Sequence, residues 1–196
     1  MTGLIEVLDR YGANYIVERP PELLSPSYVA WRRAVENEGA TVVQAQAGQR
    51  IDLGNGVVLN VLSPPAHLLS GTASDINNAS VALKLTYGDV SFILAGNLHG
   101  EGERAVLGSG SPVDGDVLKV GHHGSRTSSS GVFIDAVNPS AAVISVSENN
   151  RFDHPHQETI NTLLRFVPDE RIYTTSSNGD VQFASDGVTL WVKAER

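Results

Sequence analysis

At 196 residues, with 41% apolar side chains and nineteen glycines, the chain reads as one globular, loop-rich domain with enough length to bury a real core. A net charge of −8 argues against general electrostatic clamping of nucleic acid, although bound divalent cations can offset local acidity. There is no cysteine, which removes disulfides and thiolate zinc sites; no apolar run reaches the roughly 18 residues of a membrane span and no secretory signal precedes the fold, so the chain is expected to be soluble.

Met1-Thr2-Gly3 runs straight into Leu4-Ile5-Glu6-Val7-Leu8, apolar at helical spacing. With no leading strand, that start reads as a cut made inside a larger unit, with an added initiator Met. The helix over 4–11 ends at Gly12, a left-handed cap. A strand over 14–18 follows, then a Pro-rich connection over 19–26, a helix over 27–38 stopped by Gly39, and a strand over 41–45. Residues 51–62 predict a hairpin turning at Gly54-Asn55-Gly56. The polar stretch 63–78 ends in Asp75-Ile76-Asn77-Asn78.

Two strands, 80–87 and 90–95, turn at Gly88-Asp89. From there strands and helices alternate: helix near 100–107, strand 116–120, helix near 130–137, strand 141–146, helix 157–166, strand 171–174. A last hairpin spans 179–193. Hairpins mixed with β-α repeats predict an α/β protein with mixed sheets.

Four strand ends carry polar clusters: Asp75 with Asn77 and Asn78, then Gly96-Asn97, then His122-His123-Gly124-Ser125, then Asp153-His154-Pro155-His156. Clusters at successive strand ends point to one crevice at the carboxyl edge of a sheet. On an extended segment His154 and His156 share a face and can ligate one divalent metal; two histidines beside a proline are equally ordinary at a helix entry. Neighbours on a strand point opposite ways, so one of His122 and His123 is expected to face the crevice, and the other to pack and bond to backbone. Ser125, Thr127 and Ser128 to Ser130 can bind phosphate oxygens through hydroxyls and N–H groups at the following helix start; an ordinary Ser cap is the plain alternative. Lys119 either reaches an anionic ligand or is a solvated strand lysine. His67 and His99, alone in polar loops, read as surface residues.

Together these motifs resemble the metallo-β-lactamase-like domain of the ComEC family of competence proteins. The resemblance rests on D-I-N-N-A-S, on F-I-L-A-G-N where the family has Gly-Asp, and on D-V-L-K-V-G-H-H-G-S-R-T-S-S. It extends through A-A-V-I-S-V-S-E-N-N-R-F-D-H-P-H-Q-E to the closing T-x-x-N-G-D hairpin, over about residues 3 to 193. It implies an αββα sandwich with its site at one edge of two facing sheets. It also implies a parent in the bacterial inner membrane, a channel that takes up single-stranded DNA, and a metal-dependent (zinc or manganese) phosphodiesterase or nuclease.

Three departures qualify this. The superfamily's His-x-His-x-Asp-His is nowhere in the chain, so the N-terminal strands that carry it are expected to be missing. Asn97 stands where the family has its bridging Asp, removing charge that holds two cations together. The superfamily's third-motif His is replaced by Asn77 or Asn78. The carried-over metal positions are therefore His154, His156 and Asn97. His122, His123 and Ser125 carry over as catalytic or phosphate-binding groups, and Asn78, Lys119 and Thr127 as substrate contacts. The implied reading is a hydrolase-like segment, inactive as this chain. The competing readings are a non-catalytic DNA- or partner-binding module and a small-molecule hydrolase. Missing strands would expose a sheet edge, which predicts self-association.

Overall fold

The computed structural model describes residues 2–19 and 25–196. Most of the expected Pro-rich connection, and the expected added Met1, lie outside the described residues. The chain divides into two compact units, residues 1–45 and 46–196.

The first unit contains α1 (Thr2–Tyr11), β1 (Tyr15–Glu18), α2 (Pro26–Glu38) and β2 (Thr41–Gln44), with β1 and β2 parallel. Local chemistry sets the ends of α2. Ser25 Oγ accepts the Tyr28 N–H at 3.2 Å, Pro26 occupies the first turn, and Gly39 closes the helix at φ 71°. Leu8, Tyr28, Trp31 and Val35 form its core.

The second unit is built on a seven-stranded mixed sheet in the order β3-β4-β5-β6-β7-β8-β9. Strands β3 (Arg50–Gly54), β4 (Val57–Ser63), β5 (Ala82–Tyr87) and β6 (Val90–Leu94) are an antiparallel meander. From β6 the chain switches to parallel β-α repeats: α4 (Gly100–Gly108), β7 (Val117–Lys119), α5 (Gly131–Val137), β8 (Ala141–Ile144), α6 (Gln157–Leu163) and β9 (Ile172–Thr174). Short helices α3 (Asp75–Asn78) and α7 (Thr175–Asn178) precede β5 and follow β9. The mixed-sheet α/β class expected from the sequence is the class that forms.

Alternation along each strand assigns its two faces. Ile93, Leu118 and Ala142 sit side by side in register and share a core with Val106 of α4, Phe133, Ile134 and Val137 of α5 and Leu163 of α6. Each fully buried large apolar side chain there stabilises the fold by about 1.5–3 kcal/mol. On neighbouring positions Phe92 and Tyr173 meet Phe183 edge-on, at 6.1 and 6.0 Å between ring centres. Phe183 belongs to the terminal hairpin of β10 (Val181–Ser185) and β11 (Leu190–Ala194), which thereby covers part of the sheet. Among the described residues no helix is long and apolar enough to cross a membrane.

Candidate functional site

The parallel order β6-β7-β8 brings three loops to one edge: residues 95–99 after β6, 120–130 after β7 and 145–156 after β8. Strand β5 runs antiparallel to β6, so α3 ahead of it arrives at the same edge. The crevice expected at the carboxyl edge is where the polar clusters meet.

The double histidine does not continue the strand. Gly121–Gly124 is a 3-10 turn in which His122 and His123 both take left-handed backbone, φ 46° and 57°. That conformation costs roughly 1–2 kcal/mol per non-glycine residue and is held by surrounding bonds. The His122 N–H donates to Gly96 O at 2.9 Å, and the Gly121 N–H donates to Ser129 Oγ at 3.1 Å. Gly124 follows at φ +80°, where a Cβ would stand 2.6 Å from Pro155 Cβ. The His156 N–H also donates to Gly124 O, at 2.9 Å, so the 153–156 loop rests directly on the histidine turn.

This geometry strings imidazole rings together. His99 Nε2 lies 3.2 Å from His122 Nδ1, with the rings stacked at 5.1 Å and 26°. His122 meets His154 edge-on at 5.7 Å, and His154 meets His156 at 4.8 Å. Asn77 Nδ2 donates to His99 Nε2 at 3.0 Å, which puts the His99 proton on Nδ1, a buried atom without a partner. His123 Nδ1 donates to Ser145 O at 2.7 Å, leaving its Nε2 free to accept. His156 Nδ1 accepts the Arg126 N–H at 3.2 Å, so in the neutral ring Nε2 carries the proton.

Burial drives the His122 pKa down to about 4, and repulsion from His99, His154 and His123 adds to it. His154 is depressed by burial and by His156 and His123, with Asp153 opposing. Both rings are therefore neutral at pH 7.

Several expectations are corrected here. His99 is not a surface residue: it is 7% exposed and begins the row. Its position two residues beyond Asn97, at the same strand end, was the signal available. Of the pair, His122 faces the other rings and His123 bonds to backbone, as the division required. However, His123 is exposed rather than packed, and the cause is the left-handed turn, not strand alternation. Lys119 is not a solvated strand lysine; it is half-buried, its ammonium donates to Val120 O at 3.1 Å, and burial lowers its pKa.

Asn78 is 1% exposed with its amide committed to protein groups. Oδ1 accepts the His99 and Gly102 N–H groups, each at 3.0 Å, and Nδ2 donates to Thr72 Oγ1 at 2.9 Å. It positions the His99 loop. Ser125 is buried with its hydroxyl paired to Thr127 Oγ1 at 3.0 Å, and Thr127 is exposed. The N–H groups of Ser129 and Ser130, expected to be open to phosphate, are already taken by the buried Glu103 carboxylate. Asn97 is half-buried beside the turn, its N–H donating to Ser80 Oγ at 3.1 Å.

A zinc centre needs three or four donors converging at about 2.0–2.2 Å. Among the described residues no three His, Asp or Glu side chains are placed to hold one ion. His156 presents no free lone pair in its observed bonding, and an amide stands at position 97. The donor set as arranged does not fit the divalent metal that the resemblance implies.

No protein-family model matches the chain. Over 154 residues, 77% of its length, it is 36% identical to ComE operon protein 3 of Bacillus subtilis, covering 19% of that protein. It is 36% identical to Competence protein ComA of Neisseria gonorrhoeae over 110 residues, 56% of this chain and 16% of that one. It is 30% identical to Recombination protein 2 of Haemophilus influenzae over 127 residues, 65% of this chain and 15% of that one. The chain belongs to the ComEC family of competence proteins, over the segment they share. This ComEC-family segment spans less than a fifth of the length of the curated relatives it matches. Among solved structures, a protein of Parabacteroides distasonis assigned as a metal-dependent hydrolase overlays 83% of this chain and 74% of its own. With a TM-score of 0.42 and 12% identity, that likeness carries no argument.

Proposed function

We propose that this chain is a DNA-handling segment of a ComEC-type protein whose parent lies in the bacterial inner membrane. Its histidine row receives a phosphate group of a single DNA strand. By itself the chain grips the strand and does not cut it. The observation that carries the reading is the continuous contact of His99, His122, His154 and His156 at one sheet edge, where among the described residues no three His, Asp or Glu side chains are placed to hold one metal ion. Imidazole N–H groups such as that on His156 Nε2 bond phosphate oxygens, and His122 and His154, whose pKa values burial lowers, raise no repulsive field against each other before the anion arrives. The names of the relatives, competence and recombination proteins, agree with DNA as the ligand. The hydrolytic reading requires ligands that these residues, as arranged, do not supply.

The test is fluorescence anisotropy with two labelled probes of equal length at low ionic strength: an oligothymidylate and an abasic strand. The double variant His122→Gln/His154→Gln is expected to bind both probes about tenfold more weakly, a loss of ~1.4 kcal/mol. Unchanged affinity for both, in a variant that keeps its circular dichroism, would remove the histidine row as the phosphate seat.

A further inference from the structure

Beside the row, the loop after β8 shapes an open cavity of about 320 Å³, lined by His123, Val146, Ser147, Asn150, Phe152 and His154. Its most conspicuous wall is Phe152, an aromatic ring left 58% exposed. Exposed apolar side chains are ordinary on protein surfaces, so exposure alone assigns nothing. Three further observations single this one out. The ring stacks on His154 at 5.7 Å and 25°, which ties it to the histidine row. The Arg151 guanidinium lies 4.8 Å from its centre, so a cation stands against this ring in a chain of net charge −8. The loop is also pinned. Asn150 Oδ1 accepts the N–H groups of Phe152 (3.2 Å) and His154 (2.9 Å), and Nδ2 donates to Ser147 O (3.0 Å) and His154 O (2.7 Å).

A flat ring held out from a braced loop, beside a guanidinium and next to an anion seat, suits a base on its own backbone. The volume sits at the small end of ligand pockets, about 300–1,000 Å³, a size for one planar heterocycle rather than a folded partner. We propose that Phe152, with Arg151 beside it, is a stacking platform for one unpaired base of the strand whose phosphate sits on the histidine row. The proposal rests on the phosphate-seat reading above and names its substrate class. Stacking needs an exposed base face, so the platform selects single-stranded over duplex nucleic acid and tolerates any base. Arg151 supplies charge to the flanking phosphate without reading sequence.

The two anisotropy probes separate the platform from the seat. In the full chain, Phe152→Ala should weaken oligothymidylate about tenfold, leave the abasic strand unchanged and erase the preference for the base-bearing probe. Phe152→Trp should restore it. Oligothymidylate binding that is indifferent to Phe152→Ala overturns the platform and leaves the seat standing. Equal losses for both probes also overturn it, since they report a disturbed loop and not a lost stack. Failure of the unsubstituted chain to bind either probe removes the seat and the platform with it.

Discussion

His122 and His123 show how far a residue can be read without its backbone. Their pairing at the end of an apolar run signals a site, and the assignment of one to the crevice and one to a carbonyl holds for their bonds. The strand-alternation argument behind that assignment fails, because two successive left-handed residues leave the strand before either side chain is placed. Lys119 is half-buried where a solvated lysine is expected, since the exposure of a long side chain depends on packing that a lone letter does not display. The depressed pKa of His122 has a sign that can be checked. Above pH 6.5 neither folded nor unfolded chain protonates it. Between 6.5 and about 4 the unfolded chain takes up a proton that the folded ring refuses, so stability falls as pH falls, and below about 4 the loss is complete. Urea unfolding midpoints from pH 7.5 to 4.5 should therefore drop more steeply in the natural chain than in His122→Gln. Parallel profiles would show that the folded environment does not hold the ring neutral.

Elements were the most legible level. Apolar runs, Gly-Asn-Gly and Gly-Asp turns and Ser or Gly caps gave the strands of the sheet and the helices between them to within a few residues, because each signal is local chemistry. What the loops do with their polar groups was not legible. The Ser-rich loop after the double histidine carries hydroxyls and a helix start, yet its N–H groups are taken by Glu103, a carboxylate more than twenty residues away that burial pushes toward its neutral form. Asn78 is the same kind of case. It looked like a site residue by motif, and it is the staple joining α3 to the start of α4. Asn78→Ala leaves the His99 and Gly102 N–H groups buried without acceptors, at about 1–3 kcal/mol each. A destabilisation of about 2–6 kcal/mol in urea is expected, and a loss below about 1 kcal/mol would mean the α3–α4 junction does not depend on that amide.

At the scale of the molecule, the switch from an antiparallel meander to parallel β-α repeats at β6 creates the site. It brings the ends of β6, β7 and β8 and the approach to β5 to one edge, and so collects residues spread from Asn77 to His156. Net charge, read over the whole chain, argued against a nucleic-acid clamp. The local picture differs, because exposed Arg126 and Arg151 flank the histidine row. The family was legible because its motifs cluster at strand ends; the fate of the metal was not, because ligation depends on where ring nitrogens point. The decisive measurement is the zinc and manganese content of the purified chain, by elemental analysis after incubation with excess metal and desalting. Far less than one equivalent, unchanged by His154→Gln, is the expected result for a phosphate seat that is not a metal centre. One equivalent held through desalting and lost in His154→Gln would contradict it, and would make the histidine row a metal site first.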